Sequence, residues 1–132
     1  MTKKLVLLLC SIFQNFAFAA VPIPSEFLGK WVLKSSNCNA PVSLNVNTNS
    51  VKFQNGTDAR LFSNVEACFT CEGGAKYAGI VVWAIPATKG EAAFTIYFNA
   101  HEVKNDAVVE IQSASLKSKF PIENQVLRHC KK

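Results

Sequence analysis

Histidine is scarce: His101 and His129 are the only two candidate imidazole bases, and neither stands in a catalytic motif. His101 lies in a polar turn and His129 lies beside a cysteine, so both read as surface residues. The chain has no Gly-x-Ser-x-Gly elbow, no phosphate-binding glycine loop and no metal-ligand spacing. Glu66, Glu72, Glu91 and Glu110 are scattered at strand ends, and nothing selects two of them as a glycosidase pair. These absences exclude the enzyme classes that announce themselves in sequence. The chain reads as a non-enzyme with no cofactor and no metal. It also lacks internal repeats, linkers, low-complexity tracts and any helical stripe of ten or more residues. Charge of one sign is not concentrated anywhere. The formal net charge is +5, but Lys30, Lys34, Lys52, Lys76, Lys89 and Lys104 are dispersed, and only Lys131-Lys132 are adjacent. That pattern carries no nucleic-acid footprint and supports only a mild preference for acidic partners.

What is present begins with a basic start, Thr2-Lys3-Lys4, and an uncharged apolar run from Leu5 to Phe16. Ala17-Phe18-Ala19 follows as an A-x-A cleavage pattern. The three parts make a secretory signal peptide, and the run is too short to span a membrane. Leu9 precedes Cys10 where a lipobox needs a small residue. Residues 1–19 are therefore read as signal, and residues 20–132 as one domain of about 113 residues with no transmembrane segment. Such a domain buries a thin core that disulfides would reinforce. The expected location is the periplasm or the exterior.

Apolar residues recur with period two along nearly the whole domain, which predicts strands. Trp31 and Leu33 share one face of a first strand over 27–33. Val42, Leu44 and Val46 alternate with polar residues, Asn47-Thr48-Asn49-Ser50 turns, and Val51-Lys52-Phe53 returns as a hairpin. Asn55-Gly56 marks the next turn. A three-residue loop over 55–57 would pair Phe53 with Ala59 and Val51 with Leu61, with Lys52 opposite Arg60 outside. Ile80 to Ile85 is a nearly continuous apolar run ended by Pro86, and it predicts the most buried strand. Phe94, Ile96 and Phe98, then Ala107, Val109 and Ile111, line the inner faces of two more strands. Val126 to Cys130 closes the chain. The fold class is all-β: a small antiparallel barrel of about eight strands.

Removal of the signal leaves Cys38, Cys68, Cys71 and Cys130. An even number in an exported chain predicts two disulfides, with three connectivities open. The first and last strands of a closed antiparallel sheet are neighbours, so Cys38–Cys130 would staple the termini and contribute about 3–4 kcal/mol in the chain-entropy model. Cys68–Cys71 would then be a local bridge shaping the loop before Gly73. A redox role for Cys68-x-x-Cys71 is disfavoured because strands surround it, not a helix start. A zinc site from Cys68, Cys71, His129 and Cys130 is disfavoured by oxidation after export.

Gly73-Gly74-Ala75-Lys76-Tyr77, Gly79-Ile80-Val81-Val82-Trp83 and Lys89-Gly90-Glu91-Ala92 follow Cys38 in order, and Val126 to Cys130 ends the chain. This order resembles the periplasmic and membrane-bound inhibitors of C-type lysozyme. The resemblance implies an eight-stranded antiparallel barrel. It also implies a protein partner, a lysozyme or other peptidoglycan-cleaving enzyme. Carried over by position, Lys89 would reach into the partner's catalytic cleft, with Gly73, Lys76 and Tyr77 on the companion loop. A desolvated lysine facing acidic groups in a closed cleft would fix the register of the complex. Gly73 stands where the family has serine, and the Trp83-to-Lys89 spacing is longer than the family's. A second resemblance, of Gly29-x-Trp31 with the late Arg128, is to lipocalin-type barrels, in which the arginine stacks over the tryptophan. It implies an alternative function, carriage of a small apolar ligand. An immunity protein against a periplasmic toxin is a further alternative.

Overall fold

A computed structural model describes residues 20–69, 82–86 and 93–131. They form one antiparallel sheet of nine strands: β1 (Gly29–Leu33), β2 (Val42–Val46), β3 (Val51–Asn55), β4 (Asp58–Phe62), β5 (Val65–Cys68), β6 (Val82–Pro86), β7 (Phe94–Phe98), β8 (Asp106–Ile111) and β9 (Val126–Cys130). One short helix, α1, spans Ala114–Lys119. The order across the sheet is β4-β3-β2-β1-β9-β8-β7-β6-β5. The first and last strands are therefore neighbours at its centre. Among the described residues, no helix is long and apolar enough to cross a membrane.

The sheet is strongly curled, because strands far apart in its order touch through their inner faces. Phe62 on β4 meets Phe94 on β7 with ring centroids 4.8 Å apart. Phe53 on β3 meets the same ring at 4.9 Å, and Trp31 on β1 meets Phe98 at 5.4 Å. Edge-to-face and tilted arrangements such as these are favoured by the ring quadrupoles. Phe94, Ile96 and Phe98 are fully buried, as the period-two pattern predicts. Leu116, Phe120 and Ile122, on and after α1, complete the same core. The interior is occupied by side chains, and the expected barrel is a half-barrel, since the end strands β4 and β5 do not pair with each other.

The two edges of the curled sheet are handled differently. The outer side of β5 is satisfied by carbonyls from elsewhere: Val65 N–H donates to Asn49 O and Ala67 N–H to Val21 O, both at 2.9 Å. Ile23 N–H donates in turn to Thr48 O at 2.8 Å. The segment 21–23 is thus a strap along the edge, anchored by the buried Ile23 side chain. β4, in contrast, is exposed from Asp58 to Leu61. Its charged Asp58 and Arg60 are the kind of residue that blunts an open edge.

Several expectations need correction. The described residues hold nine strands, because β5 is a strand in its own right; only Val65 and Ala67 are buried on it, too few for an alternation to show. The β3–β4 hairpin turns over Gly56 and Thr57, so Phe53 pairs with Arg60 and Val51 with Phe62. Gly56 takes φ 61°, which suits the first central position of a two-residue hairpin turn. The shift places Lys52 opposite Leu61 instead of Arg60, removes the like-charge pair and leaves Leu61 57% exposed. Within the run ending at Pro86, Ile85 is half-buried, so the strand is not fully covered there. Ile80 and Val81 lie outside the described residues.

Candidate functional site

The sequence points to Lys89, Gly73, Lys76 and Tyr77, and all four lie outside the described residues. The strands that frame them are described. β6 is in register with β5 on one side and β7 on the other, with Cys68 opposite Trp83 and Val82 opposite Phe98. In this antiparallel trio the connection 69–81 leaves one end of β6 and the connection 87–93 leaves the other. At ~3.4 Å per residue the two ends are separated by most of the strand's length, roughly 15 Å. The framework therefore does not by itself bring Lys89 beside Gly73, Lys76 and Tyr77.

The described residues converge most at the base of the barrel, where β1 and β9 meet. Their register pairs Trp31 with His129, Val32 with Arg128 and Lys30 with Cys130. A three-residue 3-10 turn, Ser25–Phe27, precedes it, ends at Leu28 and brings Phe27 into a parallel stack on Phe98 at 4.5 Å. Trp31 is fully buried, and its indole N–H donates to Phe27 O at 2.9 Å. His129 stacks on the indole, 4.6 Å away and 12° from parallel. Its Nε2–H donates to Leu28 O at 2.9 Å, since a carbonyl only accepts. Nδ1 is buried without a hydrogen-bond partner among the described residues.

This corrects two expectations. The group stacked over Trp31 is His129, not the arginine that the lipocalin resemblance implies, and His129 is half-buried instead of a surface residue. Arg128 points to the other face of the sheet. Its Nε and Nη2 donate to Ser36 O at 3.1 and 2.6 Å, and Nη1 lies 3.6 Å from Cys38 Sγ. The segment after β1 is thus tied to β9 through Ser36 and Cys38, and Val32 and Ser43 are also buried. Sequence reasoning missed this division of labour because a one-residue change of register exchanges the two faces. Proximity of the terminal strands was legible; their register was not.

Cys38 and Cys130 are joined by a disulfide with Cα atoms 5.8 Å apart, the pairing expected for the termini. The second expected bridge involves Cys71, which lies outside the described residues. Beside the Cys38–Cys130 bridge is an open concavity of about 780 Å³, with both sulfur residues, Lys30, Lys104, Lys131 and Glu26 in its lining. Lys104 reaches it from the β7–β8 loop. That loop holds Asn99, His101, Glu102 and Asn105 at positive φ and is pinned by Asn105 N–H donating to Asn99 Oδ1 at 3.1 Å.

Two other concavities are less suited to a ligand. One, between β4 and α1, has Arg60, Phe62, Lys119 and Phe120 in its wall, but its volume is only about 180 Å³, below the usual size of a small-molecule site. The other lies on the outer face of β7 and β8. There Tyr97 Oη–H donates to Glu110 Oε2 at 2.7 Å. Burial, then the hydrogen bond and charge of Glu110, push the Tyr97 phenol up to about 12, so it remains a neutral donor at ordinary pH. Among the described residues, no group of three or more His, Cys, Asp and Glu side chains is placed to hold a metal ion. No protein-family model, curated protein or solved structure matches this chain.

Proposed function

We propose that the protein is an exported, non-enzymatic binding protein that protects against a peptidoglycan-cleaving enzyme, engaging the enzyme's cleft with the lysine-bearing turn at Lys89. The observation that supports the reading is the antiparallel β6–β7 pairing, from Val82–Phe98 to Ala84–Ile96, in the two strands between which Lys89 lies in sequence. Phe94, at the start of β7, is locked in the core by Phe53 and Phe62. The Cys38–Cys130 bridge fits an oxidising compartment, consistent with residues 1–19 acting as a signal and with the periplasm or exterior as the destination. A second bridge, Cys68–Cys71, belongs to the same proposal and would brace the companion connection.

Lys89 is the primary contact in this proposal. Gly73, Lys76 and Tyr77 join it at one interface only if the connection 69–81 returns along β6. The carrier alternative is less well supported, because Trp31, Phe53, Phe94, Phe98 and Phe120 occupy the interior where an apolar ligand would sit. An immunity protein would use the same interface against another target, and the same assay with a toxin as target would distinguish it.

The test is turnover by several lysozymes and related muramidases in the presence of the oxidised protein. Inhibition that Lys89→Ala weakens by at least about tenfold is expected from the loss of a desolvated charge pair. No inhibition and no co-elution at micromolar protein would overturn the reading. Inhibition unaffected by Lys89→Ala would overturn the assigned contact.

A further inference from the structure

The two sulfurs of the Cys38–Cys130 bridge have unequal surroundings. Arg128 is held in place by its paired donation to Ser36 O, and this directs Nη1 at Cys38 Sγ from 3.6 Å. The carbonyl it grips carries no charge. Asp106, the acid opposite Arg128 in the β8–β9 ladder, is ion-paired to Lys34 at 2.7 Å. Among the described residues, Arg128 has no ion pair of its own. A guanidinium fixed by a carbonyl, with no contact ion pair among the described residues, therefore faces one sulfur of the bridge. Cys130 has Lys30 opposite it in the ladder and Lys131 next in the chain, but it has no hydrogen bond from a lysine nitrogen among the described residues.

Both cysteines line the open concavity, where Lys30, Lys104 and Lys131 outnumber Glu26. Among the described residues, none of the three lysines is in an ion pair. A cationic recess raises the local concentration of small anions. A cation beside a thiol favours its thiolate, and a better-stabilised thiolate leaves faster in disulfide exchange.

We propose that the base of the barrel is a thiol-exchange site for small anionic thiols, with Cys130 as the sulfur attacked and Cys38 as the sulfur released. An incoming thiolate forms a bond to Cys130 Sγ, and the Cys38–Cys130 bond breaks. Its electron pair leaves on Cys38 as a thiolate beside Arg128. One disulfide and one thiolate are consumed and one of each is formed, so no separate oxidant or reductant is needed. The step reverses when Cys38 attacks the mixed disulfide and expels the small thiol.

The experiment treats the oxidised protein with mercaptoethanesulfonate, mercaptoethanol or cysteamine, which are anionic, neutral and cationic. Rates are normalised to the thiolate present, the mixture is quenched with iodoacetamide, and the peptides are mapped. The expected product carries the small thiol on Cys130 and the alkyl group on Cys38, in about tenfold excess over the reverse. Mercaptoethanesulfonate should react fastest per thiolate, by about threefold or more at low salt, and this advantage should fade as salt is added. Arg128→Gln should bring the two products toward parity, and Arg128→Lys should restore part of the bias. If those variants do not fold, the wild-type peptide map decides alone. Adducts divided evenly, or found on Cys38, overturn the assignment of the released sulfur. Equal per-thiolate rates overturn the preference for anionic thiols. A bridge that reacts only once the protein is unfolded overturns the site.

Discussion

The imidazole of His129 lies flat on the indole of Trp31, with ring centroids 4.6 Å apart, and ties the last strand to the first. The stack and the hydrogen bond to Leu28 O act together at the base. His129→Ala should remove both and destabilise the protein by about 1–3 kcal/mol. A lower urea midpoint with an unchanged denaturant slope would identify this as loss of stability without a change in the surface exposed on unfolding.

Gly29 is coupled to the same imidazole. It adopts φ 123°, and a Cβ at this position would lie 3.0 Å from His129 Nε2. Gly29→Ala should cost about 1–3 kcal/mol through backbone strain and the close approach. In a His129→Ala background the close approach is gone while the strain remains. A double-mutant cycle should therefore give a smaller cost for Gly29→Ala in that background. Full additivity would show that the imidazole contributes nothing to the requirement for glycine.

The Tyr97 phenol gives a pH signature. Its folded pKa, about 12, lies above the unfolded value of about 10. The folded state then holds the proton more tightly, so this contribution to stability is complete below pH ~10 and is lost as pH rises toward 12. Absorbance titration of a Tyr77→Phe variant, which leaves Tyr97 as the sole tyrosine, should report phenolate formation late. Glu110→Gln should move the titration to lower pH, because it removes the negative charge beside the phenol.

The strap at 21–23 makes a local prediction. Ile23 is 2% exposed, and the adjoining Val21 carbonyl receives the Ala67 N–H. Ile23→Ala should cost about 2–5 kcal/mol. Native-state hydrogen exchange should show the Ala67 amide losing protection more than those in the centre of the sheet. An Ala67 amide whose protection falls no more than the rest would mean that the strap opens only with global unfolding.

Much of the strand pattern was legible because it is local. Val42, Leu44 and Val46, and again Phe94, Ile96 and Phe98, alternate strictly and occupy inner-face positions in the structure. α1 was not legible: six residues are less than two full helical turns and cannot display a 3.6-residue stripe. The β3–β4 register depended on whether Asn55 or Gly56 opened the turn, a one-residue choice that exchanges the two faces of β4. The base was the least legible part. The same register ambiguity decides whether Arg128 or His129 covers Trp31, and only the long-range β1–β9 pairing resolves it. Lys30 and Lys104 looked dispersed because sequence distance conceals the loop that brings Lys104 to the base.

The strand order has a consequence for how the chain could be divided. β1 to β4 is one uninterrupted run of sequential neighbours, and β5 to β9 is another. Only Ser63 and Asn64 link the two runs through the backbone, while the Cys38–Cys130 bridge joins them a second time. A protein nicked between Ser63 and Asn64 would remain a single covalent molecule while oxidised, with every sheet pairing of both pieces intact. The same geometry makes 63–64 the natural opening for a circular permutant, in which the present termini are joined and the two halves exchange their order in sequence.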